Sequence, residues 1–500
     1  MTRLRSFCWA SVMLVSVVAQ AEDAPPTTPP PSPTTNPLAD PASLFGTSGQ
    51  AGATAGLGFG QLDGNFWVQM RTTFDLNLGD IGLGLQVPLN LLAYTTSATP
   101  TRDDLTYFHI IRKADWPKPS SSNYQQYLQL VRYVRYGHKR DPLYALVGQI
   151  YGSSMGHGTI IDRTNNSLNP LHPKYGLDFE VNAATGGIEF FTNSLAWPGT
   201  NVVGARAYAR PTVIAGGAGS LLDTWAVGAS IVTDRNAPLT LATSGLDKNG
   251  SPCSGSCLAT GDDGLPIAAT ETAMRVFGVD TELQLLHNAV LDFIPYVDFN
   301  REVGAGNGLH AGIQTNFTFP ILATVNLWTK LEYRLMQPAY IPGYFDAAYE
   351  LQRYTFPIIP DLSVPKAAAG VALRARNGTG LVPGVYGEAT FQFLGMADIG
   401  ATYTATPGIR NSSTVMAFAT LPKFDTVKVT AYYLRKNFEG LSDVAGLDER
   451  SMLVGALLYK IFGPVYLMAA FQRHWATDPI TGKIVGTNDY NFGLQSYFPL

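Results

Sequence analysis

Residues 308–335 alternate apolar and polar side chains for almost thirty positions, with one short interruption. On one face stand Leu309, Ala311, Ile313, Thr315, Phe317 and Phe319; on the other stand Gly308, His310, Gly312, Gln314, Asn316 and Thr318. After Pro320-Ile321-Leu322-Ala323 the pattern resumes. Val325, Leu327, Thr329, Leu331, Tyr333 and Leu335 face one way, and Asn326, Trp328, Lys330, Glu332 and Arg334 face the other. Successive strand side chains point to opposite sides of a sheet, so the segment reads as a hairpin with one apolar and one charged face. Each run is about twelve residues, roughly twice the usual soluble strand. A tilted strand that crosses a bilayer needs about nine to eleven.

The surrounding chain points the same way. Its 500 residues are 46% hydrophobic and only 14% charged, with 50 glycines. Soluble domains carry about a quarter charged residues, and a single large barrel is the main architecture that takes in so long a chain by adding hairpins to one sheet. Arg3 and Arg5 precede an apolar run from Phe7 to Ala19, and Ala19-Gln20-Ala21 has small residues at the spacing of a signal-peptidase site. Residues 1–21 are therefore expected to be a signal peptide cleaved after Ala21, taking Cys8 with it. Of 34 basic residues, 32 remain beside 38 acidic ones once Arg3 and Arg5 are removed. That balance gives no reason to expect a nucleic-acid partner, which favours a basic patch. Beyond the signal no apolar run reaches the eighteen residues of a membrane helix. In lipid every backbone group must be paired internally, and apart from helices only closed barrels achieve this.

Residues 22–41 hold Pro25, Pro26, Pro29, Pro30, Pro31, Pro33, Pro37 and Pro41, and read as a semi-rigid periplasmic linker. Residues 42–64, rich in glycine and alanine, are compatible with a first strand or a plug. The barrel is expected over 65–500. Phe66, Val68, Met70, Phe74 and Leu76 oppose Gln69, Arg71, Asp75 and Asn77; Leu177, Phe179 and Val181 oppose Asp178 and Glu180. The same alternation recurs near 203–210, 277–300, 385–393 and 427–433. About eighteen strands are expected, within a range of 16–20, the signal of each being weak and their number carrying the reading. Short connections (His287-Asn288, Pro320 to Ala323, Pro422-Lys423, Phe462-Gly463) contrast with long ones near 152–174, 235–271, 336–365, 437–449 and 476–487. The up-down parity does not close between about 366 and 411, so a strand there is miscounted or a long loop holds its own paired segment.

The chain ends Tyr490-Asn491-Phe492-Gly493-Leu494-Gln495-Ser496-Tyr497-Phe498-Pro499-Leu500. With Tyr490, Phe492, Leu494 and Phe498 on this last alternating strand, residues 66–500 resemble Gram-negative outer-membrane β-barrel proteins, porin-like in architecture. The chain departs from them in ending Phe-Pro-Leu rather than on an aromatic residue. The resemblance implies an all-β, single, antiparallel transmembrane barrel in the outer membrane, placed there by the barrel-insertion machinery that reads such a strand. It points to no subfamily.

In such a barrel the polar faces line the lumen. They carry Arg71, Arg206, Arg210, Lys330, Arg334 and Lys428 against Asp75, Asp178, Glu180, Asp280, Glu282, Asp292, Asp298, Glu332 and Glu388. Rings of charge can set pore selectivity, and this mixture predicts a water-filled interior with at most a mild cation preference; the alternative is that the charges pair across strands. Arg206 and Arg210, flanking Tyr208, are the local candidates for contact with an anion or a sugar. Cys253 and Cys257, around Ser-Gly-Ser in an exported chain, read as a disulfide that staples a loop. His157 with Ser153, Ser154, Thr159 and Asp162 is the one cluster that invites a hydrolase reading, but Gly156 and Gly158 on either side make a flexible turn the simpler account. The aromatic loop from Pro338 to Phe356 reads as a cap on the rim rather than an inward constriction. The expected function is a channel for small hydrophilic solutes, with no cofactor and no catalytic residue. The alternative is a dedicated export or uptake barrel, for a polysaccharide for example, working with periplasmic partners. A homo-oligomer stays open.

Overall fold

A computed structural model of the chain describes residues 52–62, 65–94, 111, 116, 124–167, 174–195, 201–217, 221–246, 252–259, 265–319, 325–359, 362–394, 396–421, 424, 426–477 and 484–499. Residues 1–21, expected to be a signal peptide, residues 22–41, expected to be a linker, and Leu500 lie outside them.

The alternating segments form the strands of one wall: β1 (Gly52–Leu62), β2 (Asn65–Leu78), β3 (Ile81–Tyr94), β4 (Val131–Tyr136), β5 (Leu143–Gly148), β6 (Gly176–Ala183) and β7 (Gly186–Thr192). They continue with β8 (Val202–Ala209), β9 (Ala226–Leu241), β10 (Ala268–Glu282), β11 (Leu291–Glu302), β12 (Gly306–Thr318), β13 (Val325–Met336) and β14 (Val382–Phe393). The ring is completed by β15 (Ala397–Ala405), β16 (Ser413–Leu421), β17 (Val427–Phe438), β18 (Ser451–Phe462), β19 (Val465–Thr477) and β20 (Ile484–Pro499). Each pairs antiparallel with its chain neighbours, and β1 pairs with β20 to close the barrel. The short segment Leu286–His287 pairs with β11 outside the ring. The described residues thus form twenty wall strands, at the top of the expected range of 16–20 and two above its centre. The difference comes from elements with little alternation to read, such as β1, whose inward positions Gly52, Thr54, Gly56, Gly58 and Gly60 bear almost no side chain, and the six-residue β4 and β5.

The hairpin of residues 308–335 becomes β12 and β13. Leu309 lies opposite Leu335, Ala311 opposite Tyr333 and Ile313 opposite Leu331, while His310 faces Arg334 and Gln314 faces Lys330. Leu309, Leu331 and Tyr333 are exposed, and His310, Lys330, Glu332 and Arg334 are buried. The apolar face is thus the outer one. The same holds around the wall, where Leu57, Phe59, Ile231, Val279, Leu457, Leu467, Phe492 and Leu494 point outward and exposed. A continuous apolar outer band of this kind suits hydrocarbon and not water. Inside, flat rings lie over glycines of the adjoining strand. A Cβ on Gly312 or Gly84 would come within 2.4 Å of the ring of Tyr296 or Tyr133, so these rings need glycine beneath them.

One end of the barrel has short connections, among them 79–80, 184–185, 394–396 and 463–464, with 210–225 longer. The other carries 95–130, 149–175, 242–267 and 337–381. In outer-membrane barrels such asymmetry goes with short turns on the periplasmic side. The parity gap closes because 337–381 is a single long connection. It contains its own strand pair, Phe356–Ile359 with Leu362–Val364, and a helix, Gly370–Asn377.

Candidate functional site

The barrel has its core on the inside. Residues 149–167 leave β5 and fold into the lumen as a hairpin, with Ser153 and Thr164 exchanging backbone hydrogen bonds at 2.8 and 3.0 Å and Met155 N–H donating to the Ile161 carbonyl. The tip turns through Gly156 and Gly158, both at positive φ (54° and 74°). A Cβ on Gly156 would press against the Arg206 guanidinium at 3.0 Å, so glycine meets both the turn and the close approach. The segment 337–381 also folds inward and joins the hairpin: Phe345-Asp346 pairs in parallel with Ile161-Asp162, and Gly343 N–H donates to the Thr159 carbonyl at 2.9 Å. Ile161, Phe191, Val202, Val232, Tyr344, Phe345 and Tyr349 pack together where the two inserts meet the wall. The short helix Tyr349–Gln352 brings Ala348 and Leu351 against an inward apolar strip of Met416, Phe418, Leu434 and Met452.

This corrects the expectation that residues 338–356 cap the rim. The segment is too apolar to sit in water, and the inner faces of β16–β18 offer it an apolar wall. Its polar anchors are equally specific. Tyr349 Oη donates to Asp234 at 2.5 Å, Arg353 Nε donates to the same carboxylate at 2.8 Å, and Lys436 Nζ reaches Asp346 at 2.6 Å.

His157, at the hairpin tip, is not a flexible turn residue. Its ring is fully buried and stacks on Tyr296 with centroids 4.0 Å apart. Nδ1 lies 2.9 Å from Asp298 and Nε2 2.8 Å from Glu282, and Thr159 Oγ1 donates to Asp298 at 2.7 Å. Burial opposes the charged ring, but Asp298 and Glu282 more than offset it, and the pKa rises from 6.5 to about 10. His157 is therefore an imidazolium clamped between two carboxylates, with no ring nitrogen left to activate a hydroxyl. Lys330 Nζ donates to the His157 carbonyl.

Other charges on the inner wall are tied up in the same way. Arg206 donates to Glu189 and, at 2.7 and 3.0 Å, to Asp280; Arg163 of the hairpin pairs with Glu388; Lys139, on the turn between β4 and β5, reaches Asp178 at 3.1 Å and Glu180 at 3.5 Å. Glu332 is a hub. It receives Tyr296 Oη at 2.6 Å, Lys330 at 2.9 Å and Arg334 at 2.6 Å, and His310 Nδ1 lies 3.2 Å away. Asp75 is held by Arg132 and Tyr133, and Asp292 lies 2.6 Å from His287 Nδ1.

Of the predicted lumen positions, Arg71 is exposed, whereas Asp75, Asp178, Glu180, Arg206, Tyr208, Arg210, Asp280, Glu282, Asp298, Lys330, Glu332, Arg334, Glu388 and Lys428 are buried. They do face inward, but many of them meet the hairpin instead of open water. Arg206 and Arg210 likewise do not form an open anion cradle: both guanidiniums lie over the Tyr208 ring, at 5.1 and 5.9 Å, Arg206 is neutralised by two acids, and Arg210 donates to the Ala184 carbonyl. His157, Asp280 and Asp298 each present a possible metal-ligand atom within 4.8 Å of the others. His157 and Arg206 already engage these carboxylates, and the cluster stands as a charge-balanced clamp. Cys257 is buried on Pro252–Leu258; the side chain of Cys253, and with it the expected disulfide, lies outside the described residues.

No protein-family model matches the chain, and no curated protein sequence does. Among solved structures it is similar to the ferric-catecholate import receptor Fiu of E. coli K12, at 9% identity over 90% of this chain and 82% of that one, TM-score 0.34. OccK11 (OpdR) of Pseudomonas aeruginosa is similar at 10% identity over 90% and 96%, TM-score 0.30. Wzi of Escherichia coli, an outer-membrane protein involved in group 1 capsule assembly and described as a carbohydrate-binding β-barrel, is similar at 11% over 92% and 86%, TM-score 0.32. Likeness at this level bears on no cargo.

Proposed function

We propose that this chain is a Gram-negative outer-membrane barrel that passes small hydrophilic solutes along the side of the lumen that the described inserts do not pack against. One observation carries the reading. The described inserts pack against the inner faces of β5–β18, while Arg71, an inward position on β2, is exposed. On that side β1 presents glycine and threonine inward. Barrels of this size leave room for an aqueous path.

The experiment is a planar-bilayer recording on refolded protein. Persistent single-channel steps are expected without any added partner. Arg71→Gln is expected to shift the reversal potential in a salt gradient toward cation preference, because it removes an exposed positive charge from the path. Arg206→Gln and Arg210→Gln are expected to move it far less. The opposite ranking would place the path on the wrong side.

A second reading, an uptake or export barrel that opens only for its cargo, is favoured by the inward hairpin, since a plug anchored by ion pairs can be released. Silence in the bilayer until a solute or polymer is added would support it over the first.

A further inference from the structure

Between the inward segment 337–381 and the upper parts of β13–β17 lies a cavity of about 170 Å³. An engineered cavity of about 150 Å³ takes up benzene, so there is room for one ring. Part of its wall is apolar, from Leu373, Met416 and Leu434, and part carries the hydroxyls of Thr402 and Thr404.

Four cations reach it, namely Arg163, Arg334, Arg376 and Lys436. Three have a carboxylate of their own: Arg163 has Glu388, Arg334 has Glu332, and Lys436 has Asp346. Arg376 differs. Its Nε donates to Asn377 Oδ1 at 2.8 Å and its Nη1 to the carbonyls of Ile358 and Asn411 at 2.9 and 3.2 Å. Among the described residues Nη2 donates to nothing and no carboxylate lies within 4.0 Å of the guanidinium. Neutral carbonyls orient a guanidinium but leave its charge in place. A half-buried cation with no acid of its own attracts one, and the Nη2 N–H groups, which donate to nothing among the described residues, can take a carboxylate oxygen.

We propose that this cavity binds a small monocarboxylate with a ring-sized, partly apolar body, the carboxylate received by Arg376 and the ring lodged among Leu373, Met416 and Leu434. The proposal rests on the transport reading and names a class of cargo for it, held at the end of the barrel that carries the long loops.

The test is calorimetric titration of the full refolded barrel in detergent. Three probes are used: sodium benzoate, benzyl alcohol (the ring without the charge) and inorganic phosphate (the charge without the ring). Benzoate is expected to bind saturably, at least tenfold more tightly than either of the others. Arg376→Gln is expected to weaken benzoate at least tenfold and leave benzyl alcohol unchanged. Leu373→Trp, which fills the cavity and spares the charge, is expected to abolish benzoate binding and decides the matter if the arginine variant does not fold. Wild-type protein that takes no benzoate, or variants that bind it as well as wild type does, would overturn the site. Conductance without benzoate binding would remove this site and leave the channel; benzoate binding by a barrel that never conducts would remove the channel and leave the site.

Discussion

Replacing residues 151–165 by a short Gly-Ser turn should raise the single-channel conductance severalfold. The hairpin occupies the lumen against β5–β14 and is held there by anchors that include His157 between Asp298 and Glu282, Arg163 on Glu388, and Lys330 on the His157 carbonyl. Removing the segment takes out protein volume where water can follow. It also leaves the acids of β10 and β11 facing that water, so cation preference should rise with conductance. A milder version keeps the hairpin and removes its anchors. His157→Gln with Arg163→Gln should give flicker between two conductance levels instead of one raised level. Titration should do the same to wild-type protein. The His157 pKa is raised, so the imidazolium contributes its full anchoring below about pH 6.5, and that contribution is lost as pH climbs through about 10. Flicker should therefore grow across that window in wild type and not in His157→Gln. A conductance indifferent to excision would mean that the hairpin does not limit the path.

Glu332→Gln should be the most destabilising single change in the wall, by about 3–5 kcal/mol, read as a lower urea midpoint in detergent micelles. The carboxylate is fully buried, and its two oxygens serve Tyr296, Lys330, Arg334 and His310 together. The amide keeps the shape but leaves two buried cations without their shared counter-charge, which costs more than the lost hydrogen bonds. Replacing the set, with Glu332→Leu, Lys330→Met and Arg334→Met together, should cost less than the single change, because no charge is stranded. Equal losses for the single and the triple variant would show that packing, not charge balance, holds this part of the lumen.

The wall was legible because its information is local. Period-two alternation in 308–335 is enough to put Lys330, Glu332 and Arg334 on one face and Leu331 and Tyr333 on the other. The inserts were not legible for the opposite reason. His157 meets Asp298 across 141 positions and Tyr349 meets Asp234 across 115, and no spacing in the sequence signals either contact. Alternation also treats two inner surfaces alike, one lined by water and one covered by a folded loop, since both need polar residues when the covering loop is itself polar. Hence alternation puts Asp178, Arg206 and Glu388 on one face without deciding between a water-filled lumen and charges that pair, and here they pair. The apolar inward positions Met416, Leu434 and Met452 were the available signal. A water-filled lumen has no use for them, and read as inward they would have announced an occupant. Arg376 sits in an eight-residue helix inside a connection and could not be matched to a cavity without the fold.

The claim beneath all of this is that the apolar face of the wall meets lipid and the polar face does not. Spin labels at single cysteines introduced along β12 and β13, at 309, 310, 311, 313 and 314 and at 330 to 333, test it directly in reconstituted vesicles. Collision with oxygen dissolved in the bilayer should peak at 309, 311, 313, 331 and 333 and drop at 310, 314, 330 and 332, a period of two through the whole hairpin. Labels at 309, 311, 331 and 333 that collide instead with a water-soluble nickel chelate, or a profile without alternation, would contradict the account.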